Sequence, residues 1–212
     1  RLVSGSWDKT VMVWDPSTGE QLCRLRVDSM VFCLSYAPSG DMLAVGDCDG
    51  NIHFFNAKGE KTLSPVKADY QVFCLSYAPN GDILAVGGVK VKGNINFFNS
   101  QGEKLQSPVK AHSDVVRAVA WSPCGQWLAS GGDDKMVYVY DAKTFEVKWP
   151  LRGHTARVSS VCFSPDGAKI VSGSWDKKVL IWDAASGEQL CSLTVDGAVS
   201  SISFAPCGTK FA

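Results

Sequence analysis

At 212 residues, with 45% apolar and 20% charged side chains, the chain has a globular composition sized for one large domain or two small ones, with no case for disorder. Its 21 Lys and Arg balance 21 Asp and Glu, so no net field draws it to nucleic acid or an anionic membrane. No apolar run approaches the ~20 residues that a membrane helix needs.

The first stretch, LVSGSWDKTVMVWD, ends at Asp15 and contains two short apolar runs around an Asp-Lys turn. A polar segment, GEQLCRL, follows a Gly turn. From there the chain repeats itself. A Pro-x-Gly turn occurs five times, with prolines at 38, 79, 123, 165 and 206, spaced 41, 44, 42 and 41. Proline presets φ for the first corner of a type I turn, and glycine closes it without steric cost.

Each of these turns joins two predicted strands: VFCLSYA to DMLAVG, VFCLSYA to DILAVG, VVRAVAWS to QWLASG, VSSVCFS to AKIVSG, and VSSISFA to TKFA. A third strand follows a tight Asp- or Gly-bearing turn: TVMVWD, NIHFFN, NINFFN, MVYVYD and KVLIWD, rich in β-branched and aromatic residues. The fourth segments (GEQLCRL, GEKTLSPV, GEKLQSPV, FEVKWPL, GEQLCSL) are more polar and carry Pro65, Pro108 and Pro150, which marks an outer edge strand. Helical periodicity is absent. Four short strands every ~42 residues predict an all-β fold of four-stranded antiparallel blades over residues 1–212, as a single domain.

The repeats ending at Asp15 and Asp183 are near copies, whereas those ending at Asn56 and Asn99 have Phe-Asn in place of Trp-Asp. The second of these worn copies carries two extra residues within Val89 to Lys92, which belong on a loop. The segment from Lys58 to Lys110 holds seven Lys against four acids, which reads as a solvated face. The chain begins at Arg1 in mid-motif, with no signal peptide and no Met, and reads as a piece of something longer.

The stretch Leu151 to Asp183, LRGHTARVSSVCFSPDGAKIVSGSWDKKVLIWD, carries a Gly-His and Trp-Asp framing that resembles a WD repeat, the blade unit of the WD-repeat β-propeller family. The resemblance implies a propeller of five repeat-equivalents, with the fifth split between the chain termini. Such a piece closes a five-blade ring by itself, or is cut from a larger ring; most rings of the family have seven blades, which favours the cut piece. It also implies that His154, Ser172, Asp176 and Trp182 form a structural tetrad of hydrogen-bonded side chains through one blade. Ser, His and Asp also make hydrolytic triads. No GxSxG elbow exposes Ser172, however, and the set recurs in degraded form: His112, Ser130 and Asp134 with Tyr140; Ser4, Asp8 and Trp14 with Asp196; Asp49 and Phe55 alone.

Asp47-Cys48-Asp49-Gly50-Asn51 hints at a calcium loop, but Lys58 stands where the closing carboxylate belongs, so a tight turn is expected. No P-loop, GxGxxG or HExxH occurs. Eight cysteines form no CxxC and sit mostly in apolar strands, and with no Asn-x-Ser/Thr sequon the expected setting is intracellular, cytoplasmic or nuclear. No catalytic, cofactor or metal site is expected.

By resemblance, the residue before each turn Asp and the residues opening each inner strand rim the propeller's top face. Trp7 and Trp175 fall on the first position and Phe32, Phe73, Arg117 and Arg157 on the second, and these are residue types enriched in binding hot spots. If the ring closes, Trp7 and Trp175 stand on adjacent blades. The expected function is a non-catalytic protein-interaction scaffold that docks a peptide or partner loop on the top face. The alternatives are a structural segment of a large repeat array, or a regulatory domain of a larger multidomain enzyme. Expected partners are other proteins or peptides, not nucleic acid or membrane. The chain is expected to be a monomer if the ring closes, and otherwise an oligomer that completes a larger ring.

Overall fold

The structure, a computed structural model, describes residues 1–68, 70–89, 93–105, 108–110, 112–208 and 210–212. The expected two-residue insertion falls largely on 90–92, outside the described residues. Among the described residues the chain forms strands and no helix, so none is long and apolar enough to cross a membrane.

The strands make five antiparallel sheets in chain order. The first holds β1 (Leu2–Gly5), β2 (Thr10–Trp14) and β3 (Gln21–Arg26). The second holds β4 (Val31–Tyr36), β5 (Met42–Asp47), β6 (Asn51–Asn56) and β7 (Val66–Lys67). The third holds β8 (Gln71–Tyr77), β9 (Leu84–Val89), β10 (Asn94–Phe98) and β11 (Val109–Lys110). The fourth holds β12 (Val116–Trp121), β13 (Trp127–Gly132), β14 (Val137–Asp141) and β15 (Val147–Leu151). The fifth holds β16 (Val158–Phe163), β17 (Lys169–Ser174), β18 (Lys178–Asp183) and β19 (Gln189–Thr194). Each is an up-and-down meander, with strands consecutive in the chain paired antiparallel. The β-propeller-type all-β architecture of the WD repeat is thus in place.

Two features depart from the sequence pattern. The outer strands β7 and β11 shrink to two residues, because Pro65 and Pro108 donate no ladder hydrogen bond. Lys61 and Lys104 form isolated bridges to Phe55 and Phe98, followed by Thr62 and Leu105 N–H bonds to the Phe54 and Phe97 carbonyls at 3.0 and 2.9 Å. The last expected strand pair also shrinks, to a bridge between Phe204 and Phe211. In the first sheet β1 is the edge strand, paired with β2. A join between β1 and the C-terminal segment is therefore a proposal about ring closure, and it stands apart from these pairings.

The core lies between sheets, in layers that each draw on two neighbours. Val11, Val13 and Leu25 of the first sheet pack on Val31, Leu43, Val45 and Phe55 of the second. Ile52 and Phe54, on the opposite face of β6 from Phe55, pack on Val72, Leu84, Val86 and Phe98 of the third. This two-sided burial is why the middle strands read as unbroken apolar runs.

One contact repeats at every layer. The last glycine of each SG or VG pair lies under the first valine of the next inner strand. A Cβ on Gly5, Gly46, Gly87, Gly131 or Gly173 would stand 2.5, 2.5, 2.7, 2.6 and 2.5 Å from a methyl of Val31, Val72, Val116, Val158 and Val199 respectively. No real Cβ tolerates that distance, so the sheets approach this closely only with glycine there. Gly131→Ala is expected to lower stability by about 1–3 kcal/mol through overpacking. Combined with Val158→Ala, it should cost less than the sum of the two single variants, with a coupling of about 0.5 kcal/mol or more. Urea melts of the four proteins read this directly, and simple additivity would disprove the interlock.

Candidate functional site

Two constellations were expected from the sequence, and the structure places them at different depths. The first is internal. His154 reaches from the loop before β16 into the fifth sheet, where its Nδ1 lies 2.9 Å from Asp176 Oδ2 and its Nε2 lies 2.8 Å from Ser172 Oγ. Trp182 Nε1 donates to the same Oγ at 2.9 Å, and the Asp176 carboxylate also accepts the Thr155 N–H at 2.8 Å. The order Asp–His–Ser is that of a hydrolytic triad, but Ser172 is 0% exposed at the centre of β17, with the indole N–H occupying its lone pair. No substrate carbonyl can approach it.

The fourth sheet repeats this chain in full, although by residue type the set is degraded. His112 joins Asp134 at 2.7 Å and Ser130 at 2.8 Å, and the Tyr140 hydroxyl takes the indole's place at 3.1 Å from Ser130 Oγ. The first sheet keeps only the Trp14 Nε1 to Ser4 Oγ bond, at 3.0 Å; Asp8 turns instead to Thr10. In the second and third sheets the corresponding interior is apolar: Val27, Val45 and Phe55, then Ala68, Val86 and Phe98.

The second sheet carries a different polar cluster that the sequence reading missed. His53 Nε2 lies 2.9 Å from Asp47 Oδ2, with both side chains essentially without exposure, and Asn51 donates to the same carboxylate from its amide and its backbone at 2.8 Å. The signal was a His inside the apolar run NIHFFN. Gly50 adopts φ +80° in this turn, so 47–51 is the tight turn expected. Among the described residues no group of three or more His, Cys, Asp or Glu is placed to hold a metal ion.

The electrostatics suit a fastening. Burial pushes the Asp176, Asp134 and Asp47 carboxyls up, but hydrogen bonds from backbone N–H groups and from the partner histidines and Asn51 outweigh it and hold all three below the usual carboxylate range. Burial also lowers the His154 imidazole below its usual 6.5, against the pull of Asp176.

The second constellation lies on the rim formed by the turns between second and third strands and by the starts of the inner strands. In four successive sheets the inner strand has a bulge, with the register shifting between Val31 and Cys33, Val72 and Cys74, Val116 and Ala118, and Val158 and Ser160. The skipped residues are Phe32, Phe73, Arg117 and Ser159. A bulge re-aims the side chain it releases. Phe32 and Phe73 stack across the second and third sheets, with centroids 5.1 Å apart and planes at 12°. Trp7, 71% exposed in the turn after β1, meets Phe32 edge-on at 6.4 Å. Arg117 lies over the Phe73 ring at 4.6 Å and forms a two-point pair with Asp133, at 2.8 and 2.7 Å. The ladder Trp7–Phe32–Phe73–Arg117–Asp133 therefore crosses four sheets.

Trp175, 49% exposed, is covered by the Arg157 guanidinium at 3.2 Å from the ring centroid. It stands on the fifth sheet and Trp7 on the first, and no ring contact joins the two tryptophans among the described residues. A shallow cleft of about 420 Å³ opens among the Pro-x-Gly turns at the other end of the strands, lined by Pro79, Trp121, Cys124 and Lys143 among others.

The family model described as "WD domain, G-beta repeat" matches residues 102–141 and 145–183, and the model "Anaphase-promoting complex subunit 4 WD40 domain" matches residues 7–78. The chain belongs to the WD-repeat family. Human F-box/WD repeat-containing protein 9 is 39% identical over 59 residues, which cover 27% of this chain and 12% of that protein. Protein groucho of Drosophila melanogaster is 40% identical over 57 residues, 27% of this chain and 8% of its own length. The mouse peroxisomal targeting signal 2 receptor is 47% identical over 38 residues, 18% of this chain and 12% of that protein. The match thus spans about an eighth or less of these relatives. WD-repeat proteins are generally non-enzymatic interaction scaffolds or adaptors.

For the WD fastening of the fifth sheet, His154→Ala strands the Ser172 and Asp176 partners and is expected to cost about 1–3 kcal/mol. The folded imidazole resists protonation relative to the unfolded one. Its contribution is therefore complete above pH 6.5 and is lost as pH falls below it. Stability curves of the parent should slope downward with acid from there, and His154→Ala should flatten that slope. Identical slopes would place the proton elsewhere.

Proposed function

We propose that this WD-repeat chain is a non-catalytic scaffold that docks a peptide or partner loop on the rim carrying Trp7, Phe32, Phe73 and Arg117. The observation that carries the reading is the ladder itself. Phe32 and Phe73 are half-buried, and Trp7 stands mostly in solvent with little packing to explain it. Aromatic anchors of this kind bury ~150–250 Å² each when a partner covers them. The bulges fix their direction, so the surface is pre-organised and binding loses little entropy in ordering it. Arg117, held by Asp133, offers a flat guanidinium face rather than a free charge.

The partner chemistry follows from the surroundings. Lys9, Lys135 and Lys177 adopt φ of 69°, 69° and 66° in the rim turns, beside Asp8, Asp134 and Asp176. Asp134 and Asp176 are turned inward to histidines. Their negative charge is spent inside, and the lysines remain on the rim with Arg157. A segment that alternates apolar and acidic residues fits this surface. The likeness to a protein named as a receptor for a targeting signal supports recognition of a short segment. Burial of Ser172 supports the absence of hydrolytic catalysis.

Peptides selected from a random library against the immobilised chain provide the probe. Trp7→Ala and Phe32→Ala are expected to weaken their binding by about 2 kcal/mol or more. Trp7→Ala should leave stability within about 0.5 kcal/mol, as exposed substitutions do. Selected peptides that ignore both variants, together with Trp7→Ala melting early, would show that these rings are packing residues and that the docking surface lies elsewhere.

A further inference from the structure

One repeated motif has no part in the rim or the fastening. Ser-Pro-Val-Lys recurs at 64–67 and 107–110, in the outer segments of the second and third sheets. The chain has four Ser-Pro pairs, and the fold separates them. Ser122 and Ser164 open Pro-x-Gly turns, are 0% and 3% exposed, and accept the Trp127 and Lys169 N–H groups at 3.0 and 2.9 Å. Ser64 is different. It is exposed and lies between the isolated Phe55–Lys61 bridge and β7, in a stretch outside the sheet ladder. Ser107 lies outside the described residues.

We propose that Ser64 is a phosphorylation site for a proline-directed serine/threonine protein kinase. A kinase groove takes its substrate as an extended segment free of its own ladder, and 63–65, between the Thr62 N–H bond to Phe54 O and β7, is such a segment on the outer wall. If the groove offers no acceptor after the target serine, most residues there leave a buried N–H unsatisfied. Proline has none to leave. Lys67, three residues beyond the hydroxyl and exposed, supplies a cation for an anionic kinase surface, where charge complementarity selects partners. The two buried Ser-Pro pairs have Gly125 and Gly167 where Ser64-Pro65 has this Lys.

In the reaction Ser64 Oγ attacks the γ-phosphorus of ATP. The new O–P bond forms as the bond from that phosphorus to the β,γ-bridging oxygen breaks, ADP leaves, and the hydroxyl proton passes to the kinase's carboxylate base. Each phosphate brings about −1.5 to −2 charges at neutral pH. A chain with formal net charge +0 thus gains a strongly anionic outer wall. Lys61 and Lys67, exposed on either side of Ser64, pair with the product phosphate and keep it from disrupting the edge. The rim ladder, at the starts of the inner strands and in the turns beside them, is left untouched.

The intact chain is incubated with ATP and a proline-directed kinase, and phosphate is located by peptide mass mapping. A synthetic peptide of residues 60–68 serves as the unfolded control. Phosphate is expected at Ser64, and Ser64→Ala removes it. Lys67→Ala should slow incorporation at Ser64 several-fold with an unchanged melt. The proposal is overturned if the peptide is modified and the folded chain is not, or if neither is. Phosphate confined to Ser122 or Ser164, reachable only on unfolding, overturns it equally.

Discussion

Everything in this molecule rests on how closely one sheet approaches the next. No blade is stable alone: a three- or four-stranded meander buries one face at a time and leaves the other for its neighbour. Removing a Cβ at Gly5, Gly46, Gly87, Gly131 and Gly173 lets the valine that opens the next inner strand sink into the sheet before it. That contact sets both spacing and register between sheets. Hydrogen bonds across the layers follow it, such as Tyr77 N–H to Ser35 Oγ at 3.2 Å and Ile202 N–H to Ser160 Oγ at 3.0 Å, both between residues 42 apart. The C-terminal segment obeys the same rule, since Val199 fills the Gly173 socket although it builds almost no strand.

The spacing also decides what the rim can do. Each knob valine is followed at once by the bulge residue, so the contact that docks two sheets also aims Phe32, Phe73 and Arg117. The internal fastening plays a narrower part. It is complete in the fourth and fifth sheets, where His112 and His154 each link a carboxylate to a buried serine. In the second and third, apolar packing replaces it. A buried polar chain and an apolar patch are alternative ways to fill the same space, which is why the worn repeats still fold into the same sheet.

Much of this was legible in the sequence, for definable reasons. The Pro-x-Gly turns carry strong local preferences, so strand number and order follow from them directly, and Pro65 and Pro108 marked the weak outer edge. Trp7 and Trp175 sat beside Asp-Lys turns and do reach solvent. Other features required knowing what faces what. Tyr140 replaces an indole because its hydroxyl reaches the same Ser130 oxygen, which residue type alone does not reveal. The Asp47–His53 pair depends on two strands placing their side chains on one face. The ladder depends on residues 41 and 44 positions apart meeting across sheets, and only the glycine sockets bring them together.

The central claim, that the sheet interlock positions the interaction rim, is tested most directly by NMR of Gly46→Ala, whose socket seats Val72 immediately before Phe73. The account predicts that the ring-current shifts and the contacts between the Phe32 and Phe73 rings are lost, while signals from the fourth and fifth sheets persist. A Gly46→Ala protein whose Phe32 and Phe73 rings remain stacked as in the parent would contradict it.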